Sequence, residues 1–199
     1  SANNILVGGI GSDTFRGGAG DNIIYGESYS TLGGAGTETD TTSRDLIDFS
    51  GAGNSIILNL SNSTSINYKD ETTLTLEAIT SVGYGKNKIY NVEDALGGSA
   101  NDTLIGNNSK NILDGGAGDD KLFGGSGNDT IISSGGNNII DGGDHTTGIG
   151  DWVWYNQKLM ALNINMNSTD INGYASANFG AESDKLINIE NIKGTTLSD

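Results

Sequence analysis

Residues 111–143 read NILDGGAGDDKLFGGSGNDTIISSGGNNIIDGG, and this stretch decides the fold. Gly pairs return at a fixed beat. Each pair is trailed by acidic or amide residues and then by a small apolar patch. Set in nine-residue frames, the stretch contains GGAGDDKLF from Gly115, GGSGNDTII from Gly124 and SSGGNNIID from Ser133, and GGD reopens at Gly142. Immediately upstream lie GGSANDTLI from Gly97 and GNNSKNILD from Gly106. A separate block gives GGIGSDTFR from Gly8 and GGAGDNIIY from Gly17, after a partial frame SANNILV. The shared template is G-G-x-G-x-D-x-U-x, with U a large apolar residue.

The template has a direct physical reading. Its first six residues make a turn, where glycine permits positive φ and close backbone approach. The last three, x-U-x, make a short strand with U on one face. Two frames then close one flattened coil, and equivalent turns stack at the strand spacing of about 4.8 Å. The U side chains Leu6, Phe15, Ile24, Leu104, Ile112 or Leu113, Leu122, Ile131 and Ile140 fill a thin core between two walls. Position six holds Asp13, Asp102, Asp120 and Asp129, and weakens to Asn4, Asn22, Asn111 and Asn138. Turns on one side recur every second frame. Asp102, Asp120 and Asn138 therefore share one side, and Asn111 and Asp129 the other. Asp119 and Asn128 precede that position and read as solvent-facing.

Such a chain folds poorly unaided. Ordering backbone costs about 1–2 kcal/mol per residue, most for glycine. Burial of one Leu or Ile per frame returns only about 1.5–3 kcal/mol. The 199 residues include 32 Gly, no Pro and no Cys, and 34% are hydrophobic, below the roughly 45–50% of ordinary domains. The formal net charge of −15 repels nucleic acid and anionic membranes and attracts multivalent cations. No apolar run reaches the ~20 residues of a membrane span, so no membrane insertion is expected. The absence of cysteine removes disulfides and thiolate metal sites.

These frames resemble the RTX, or haemolysin-type calcium-binding, repeat, a nonapeptide of parallel β-helices. The resemblance implies an all-β, right-handed parallel β-roll that binds several Ca2+ ions. Calcium takes six to eight oxygens from carboxylates and carbonyls, whereas magnesium demands a tight octahedron. The implied ligands are the carboxylates of Asp13, Asp102, Asp120 and Asp129, with weaker Asn22, Asn111 and Asn138. The glycine turns at Gly8, Gly17, Gly115, Gly118, Gly124 and Gly127 add carbonyl oxygens. It further implies a bacterial protein exported by type I secretion, unfolded in the low-calcium cytosol and folded outside the cell.

A longer period sits above the short one. SANNILVGGIGSDTF at residue 1 matches NSKNILDGGAGDDKL at residue 108, and DLIDF at Asp45 matches DWVWY at Asp151. SIILNL at Ser55 matches ALNINM at Ala161, and YNVEDALG at Tyr90 matches INIENIKG at Ile187. The chain thus reads as two tandem modules, 1–107 and 108–199, each a nonapeptide block plus an insert. The closing GTTLSD aligns with GGSAND and places Asp199 in a position-six slot, so the second module reads as truncated in a longer array.

The inserts break the frame but alternate as strands. SIILNL, TTLTLEAI, ALNINM and DKLINIENI are expected to form longer strands that continue or cover the roll. The half-motif GGAG at Gly33 leads into a polar loop. Asp40 and Asp45, and Asp144 and Asp151, either complete calcium sites or sit in solvated acidic loops. The match between copies favours Asp45 and Asp151 as ligands. Alternation in DWVWY puts Trp152 and Trp154 on one face, with Val153 and Tyr155 on the other. The Trp pair packs under the insert, or forms a platform for a glycan or for a neighbouring module of the same chain. His145 is the only histidine, and no HExxH, nucleophile elbow or phosphate loop exists. The expectation is a structural calcium-binding module of a secreted adhesin, toxin or surface protein, not an enzyme. The alternative is a carbohydrate-binding accessory module of a polysaccharide-modifying enzyme.

Overall fold

A computed structural model describes residues 3–16, 20–26, 43–61, 65–66, 74–75, 87–145, 148–158, 160–166 and 174–195. The expectations placed on Gly17, Gly33, Asp40 and Asp199 lie outside the described residues. Every regular element among them is a strand. The first eight are β1 (Ile5–Val7), β2 (Thr14–Arg16), β3 (Ile23–Tyr25), β4 (Leu46–Asp48), β5 (Ile57–Asn59), β6 (Ser65–Ile66), β7 (Leu74–Thr75) and β8 (Lys88–Tyr90). Then come β9 (Asp94–Leu96), β10 (Thr103–Ile105), β11 (Ile112–Asp114), β12 (Lys121–Ser126), β13 (Thr130–Ile132) and β14 (Ile139–Asp144). The last are β15 (Trp152–Trp154), β16 (Asn163–Asn165), β17 (Ala175–Phe179), β18 (Glu182–Ile187) and β19 (Asn191–Lys193).

The frame explains why most strands are three residues long. Within one turn, Gly116 and Gly118 hold φ of +86° and +120°, conformations that end an extended run. The x-U-x triplet between turns is all that stays extended.

The strands stack as a parallel β-roll. One wall is a seven-stranded sheet in the order β2-β4-β9-β11-β13-β15-β19, parallel throughout. The strands that alternate with it in sequence divide between a three-stranded sheet, β1-β3-β8, and a second seven-stranded sheet, β5-β10-β12-β14-β18-β17-β16. Leu104, Leu122 and Ile140 lie in register on one wall, and Leu113 and Ile131 on the other. Each step is two frames. These U residues are fully buried and form one core with Ile24, Ile47, Leu58, Ile89, Val153 and Leu186. Leu113, and not Ile112, takes the U position, because it is 0% exposed. Ile131 packs between Leu113 and Val153. Ile131→Val is expected to cost about 0.5–1.5 kcal/mol, measured as a lower urea midpoint in saturating calcium.

The inserts feed the roll with rungs. SIILNL gives the short β5, whose Leu58 stacks on Leu104. DKLINIENI divides into β18 and β19, with Leu186 on Ile140 and Ile192 on Val153. Longer antiparallel strands do occur at β17 and β18, of five and six residues. TTLTLEAI contributes β7, antiparallel to β6, and its other residues lie outside those described.

Two of the matches in the longer period, DLIDF with DWVWY and YNVEDALG with INIENIKG, fall on equivalent rungs. In the first copy β4 and β9 stack on β2, and in the second β15 and β19 stack on β13. β8 reaches β9 through Asn91–Val92–Glu93, and β18 reaches β19 through Asn188–Ile189–Glu190. Asn91 and Asn188 are the two non-glycine residues with positive φ among those described, at 52° and 51°. Val92 and Ile189 point into the core.

Candidate metal centres

The residue before most stacked strands faces its counterpart in the next coil. At these rungs its backbone N–H donates to a side-chain oxygen of that counterpart. On the edge leading into the first wall, Asp13 donates to Asp45 Oδ1 (2.8 Å) and Asp45 to Glu93 Oε2 (3.0 Å). In the second copy Asn111 donates to Asp129 Oδ1 (2.8 Å), Asp129 to Asp151 Oδ1 (2.7 Å) and Asp151 to Glu190 Oε2 (2.8 Å). The series Asp13–Asp45–Glu93 and Asp129–Asp151–Glu190 are therefore the same device built twice.

The opposite edge carries its own ladder. Ile56 donates to Asp102 Oδ1 (2.9 Å), Asp102 to Asp120 Oδ1 (2.8 Å), Asp120 to Asn138 Oδ1 (2.8 Å) and Asn138 to Asp184 Oδ1 (2.8 Å). Asn4 donates to Asn22 Oδ1 (3.0 Å) and Asn22 to Asn87 Oδ1 (2.8 Å). Asp119 is exposed and belongs to a separate surface ladder with Asn101 and Asn137. Asn128 is half-buried, and Asp144 is exposed at the end of β14.

The second carboxylate oxygens set the two edges apart. Asp13, Asp45, Asp129 and Asp151 each keep a buried Oδ2 without a hydrogen-bond partner. All four lie on the first edge. Each sits over a glycine together with a backbone carbonyl of the next coil. A Cβ at Gly124 would lie 2.4 Å from both Asp129 Oδ2 and Gly142 O. At Gly8 it would meet Asp13 Oδ2 and Gly26 O, both at 2.4 Å. At Gly26 it would meet Asn91 O at 1.8 Å and Asp45 Oδ2 at 2.2 Å, and at Gly142 Asn188 O at 2.1 Å and Asp151 Oδ2 at 2.6 Å. Buried carboxylate oxygens with no N–H to accept, clustered with carbonyls, are a donor set for a hard cation and costly without one. The residues fit calcium.

Asp102 and the amide rungs satisfy themselves. Asp102 Oδ2 accepts the Gly98 N–H at 2.6 Å. Asn22 Nδ2 donates to Gly20 O (3.1 Å), Asn111 Nδ2 to Glu93 O and Asn138 Nδ2 to Gly135 O (2.9 Å). An amide N–H thus does at these rungs what a cation does beside a carboxylate. At Ser133 the first glycine of the frame is replaced. Its hydroxyl donates to Asp184 Oδ2 (2.7 Å) and accepts from Asn138 Nδ2 (3.1 Å). At Gly115, the equivalent in the preceding coil, a Cβ would stand only 2.2 Å from Asp120 Oδ2. Gly118 and Gly127 hold φ of +120° and +133° against the backbone of the preceding coil.

Burial raises the pKa of several carboxyls in this set. The Asp120 and Asp129 carboxyls are each pushed up to about 7, because burial outweighs the N–H bonds they accept. Asp45, Asp102 and Asp151 are raised for the same first cause. Between the ordinary value of 3.8 and about 7, the ion-free fold binds more protons than the unfolded chain. Its stability therefore rises as pH falls through that window and is lost above it. Calcium needs the carboxylates ionised, so its affinity runs the opposite way. In EDTA the β signal in circular dichroism should grow from about pH 7.5 to about pH 5, while the calcium midpoint rises over the same interval.

Position-six spacing finds most of these residues but misses Glu93, Glu190 and Asp184, which stand outside any glycine frame. The signal for the two glutamates was present in the match of YNVED with INIEN between copies.

A mainly parallel roll with carboxylates and carbonyls stacked at its turns defines a cation-binding solenoid. A family model described as the RTX calcium-binding nonapeptide repeat (4 copies) matches over residues 1–28, 96–131 and 123–145. Those residues carry RTX calcium-binding repeats, which supports a roll that is a calcium-binding module. A comparison with curated proteins found no match.

Proposed function

We propose that the ions bind chiefly along the first edge, at Asp13, Asp45, Asp129 and Asp151, and that their binding drives folding of the roll. The carrying observation is the restriction of unpartnered, buried Oδ2 atoms to that edge. Calcium supplies the positive charge that the stacked oxygens lack. Asp102 and Asp120 on the second edge form a further, weaker set. The amide rungs at Asn22, Asn111 and Asn138 hold the register between ion sites. Gly8, Gly115, Gly118, Gly124 and Gly127 let backbone and carboxylate approach one another. The modules 1–107 and 108–199 each carry one complete Asp–Asp–Glu series.

The role that follows is a calcium-gated structural module of a secreted or surface protein. It is extended and export-competent at low calcium, and rigid outside the cell. Among the described residues, no helix is long and apolar enough to cross a membrane. Ile5, Val7 and Ile10 are exposed at the β1 end, a surface suited to stacking against a neighbouring RTX module. The glycan reading draws on Trp152 and Trp154, which are half-buried while Val153 and Tyr155 are buried. Against it, the Lys193 ammonium lies 4.3 Å from the Trp154 ring centroid and takes a face that a sugar ring would need. Limited proteolysis tests the gating. Protection of the whole roll in calcium and rapid cleavage throughout in EDTA are expected; equal cleavage in both would sink it.

A further inference from the structure

The Asp151 rung differs from its equivalent in the first copy. His145, Asp151 and Glu190 bring one potential ligand atom each within 4.8 Å of one another. His145 Nδ1 stands 3.5 Å from Glu190 Oε2. Two ligands bonded at ~2.1 Å in a tetrahedral arrangement stand about 3.4 Å apart, so this spacing already suits a shared small ion. Asp151 is 0% exposed, and its Oδ2 is buried without a partner. Glu190 Oε2 also accepts the Asp151 N–H at 2.8 Å, which fixes the two carboxylates relative to each other. The corresponding pair, Asp45 and Glu93, has no imidazole to recruit, because His145 is the only histidine in the chain.

We propose that His145, Asp151 and Glu190 form a mixed nitrogen–oxygen site for a divalent transition ion of the zinc type. Imidazole and carboxylate donors suit such an ion, whereas calcium takes oxygen alone. Three protein ligands leave a fourth position open to water or to a group from another molecule. In calcium alone this rung fills as the others do. When zinc is present, it displaces calcium here and at no other rung. The inference goes beyond the calcium reading, since it assigns a different ion to one end of the ladder.

The single imidazole gives a clean reporter. Zinc chloride is titrated into the untagged chain in saturating calcium, followed by calorimetry and by NMR of the His145 ring. One zinc per chain is expected, with the ring signals shifting in step. His145→Ala and Glu190→Gln should each weaken zinc binding at least tenfold. His145→Ala should also leave the calcium-induced circular dichroism change intact, because His145 is exposed and stands outside the Asp–Asp–Glu series. Zinc binding that is unchanged in His145→Ala, or ring signals that ignore zinc, would overturn the proposal. Loss of the calcium response in the wild-type chain would count against the calcium reading and not against this one.

Discussion

Gly124→Ala should raise the calcium concentration at the folding midpoint at least tenfold. The added methyl would stand 2.4 Å from Asp129 Oδ2 and 2.4 Å from Gly142 O. One contact is backbone in the next coil, and the other is a carboxylate pinned by the Asn111 N–H at 2.8 Å. Neither can retreat without pulling a rung out of register. Overpacking of this kind costs about 1–3 kcal/mol, and the upper end applies where the obstacle is backbone. The same methyl crowds the oxygens that hold the ion, so stability and affinity fall together. Gly51→Ala is the control. Nothing lies within 4 Å of its Cβ position, so its midpoint should stay near that of the native chain.

Asp129→Ala and Asp129→Asn should separate two roles of one side chain. Alanine strands the buried Asn111 N–H, at about 1–3 kcal/mol. It also forfeits the ion, and a ligand at a hundredfold its dissociation constant is worth about 2.7 kcal/mol. Asparagine keeps the Oδ1 acceptor and puts an N–H where the unpartnered Oδ2 stood, the arrangement seen at Asn111 and Asn138. The asparagine variant should therefore fold in calcium with one ion fewer by equilibrium dialysis, at a modest rise in midpoint. The alanine variant should lose the ion and need far more calcium to fold. Equal midpoints and ion counts for the two would contradict this division.

Much of this was legible in the sequence, for a physical reason. A period of nine leaves little freedom, so the stacking of Leu104, Leu122 and Ile140 and the sidedness of Asp102 and Asp129 follow from counting. The choice between Ile112 and Leu113 did not, because both are apolar and only the stacked register under Ile131 selects Leu113. The inserts were harder. SIILNL reads as a long strand, yet only three residues, Ile57–Asn59, pair, and they add a rung under β10. Glu93 and Glu190 end three-residue connections and reach the ladder with one more methylene than aspartate, so the glycine frame could not mark them. The confinement of buried, unpartnered carboxylate oxygens to one edge was also hidden. It depends on whether a second N–H, such as that of Gly98 at Asp102, points back at the carboxylate. Alternation did place Trp152 and Trp154 together, but it could not show that Lys193 lies over one of them.

The most direct test of calcium-coupled folding is a calcium titration of the full chain from EDTA, followed by far-ultraviolet circular dichroism, with magnesium in parallel. A coil spectrum in EDTA should convert cooperatively to a β spectrum as calcium rises to the ~10⁻⁴–10⁻³ M range of extracellular sites, and magnesium should not reproduce it. A full β spectrum in EDTA at neutral pH, unchanged by calcium, would contradict the account.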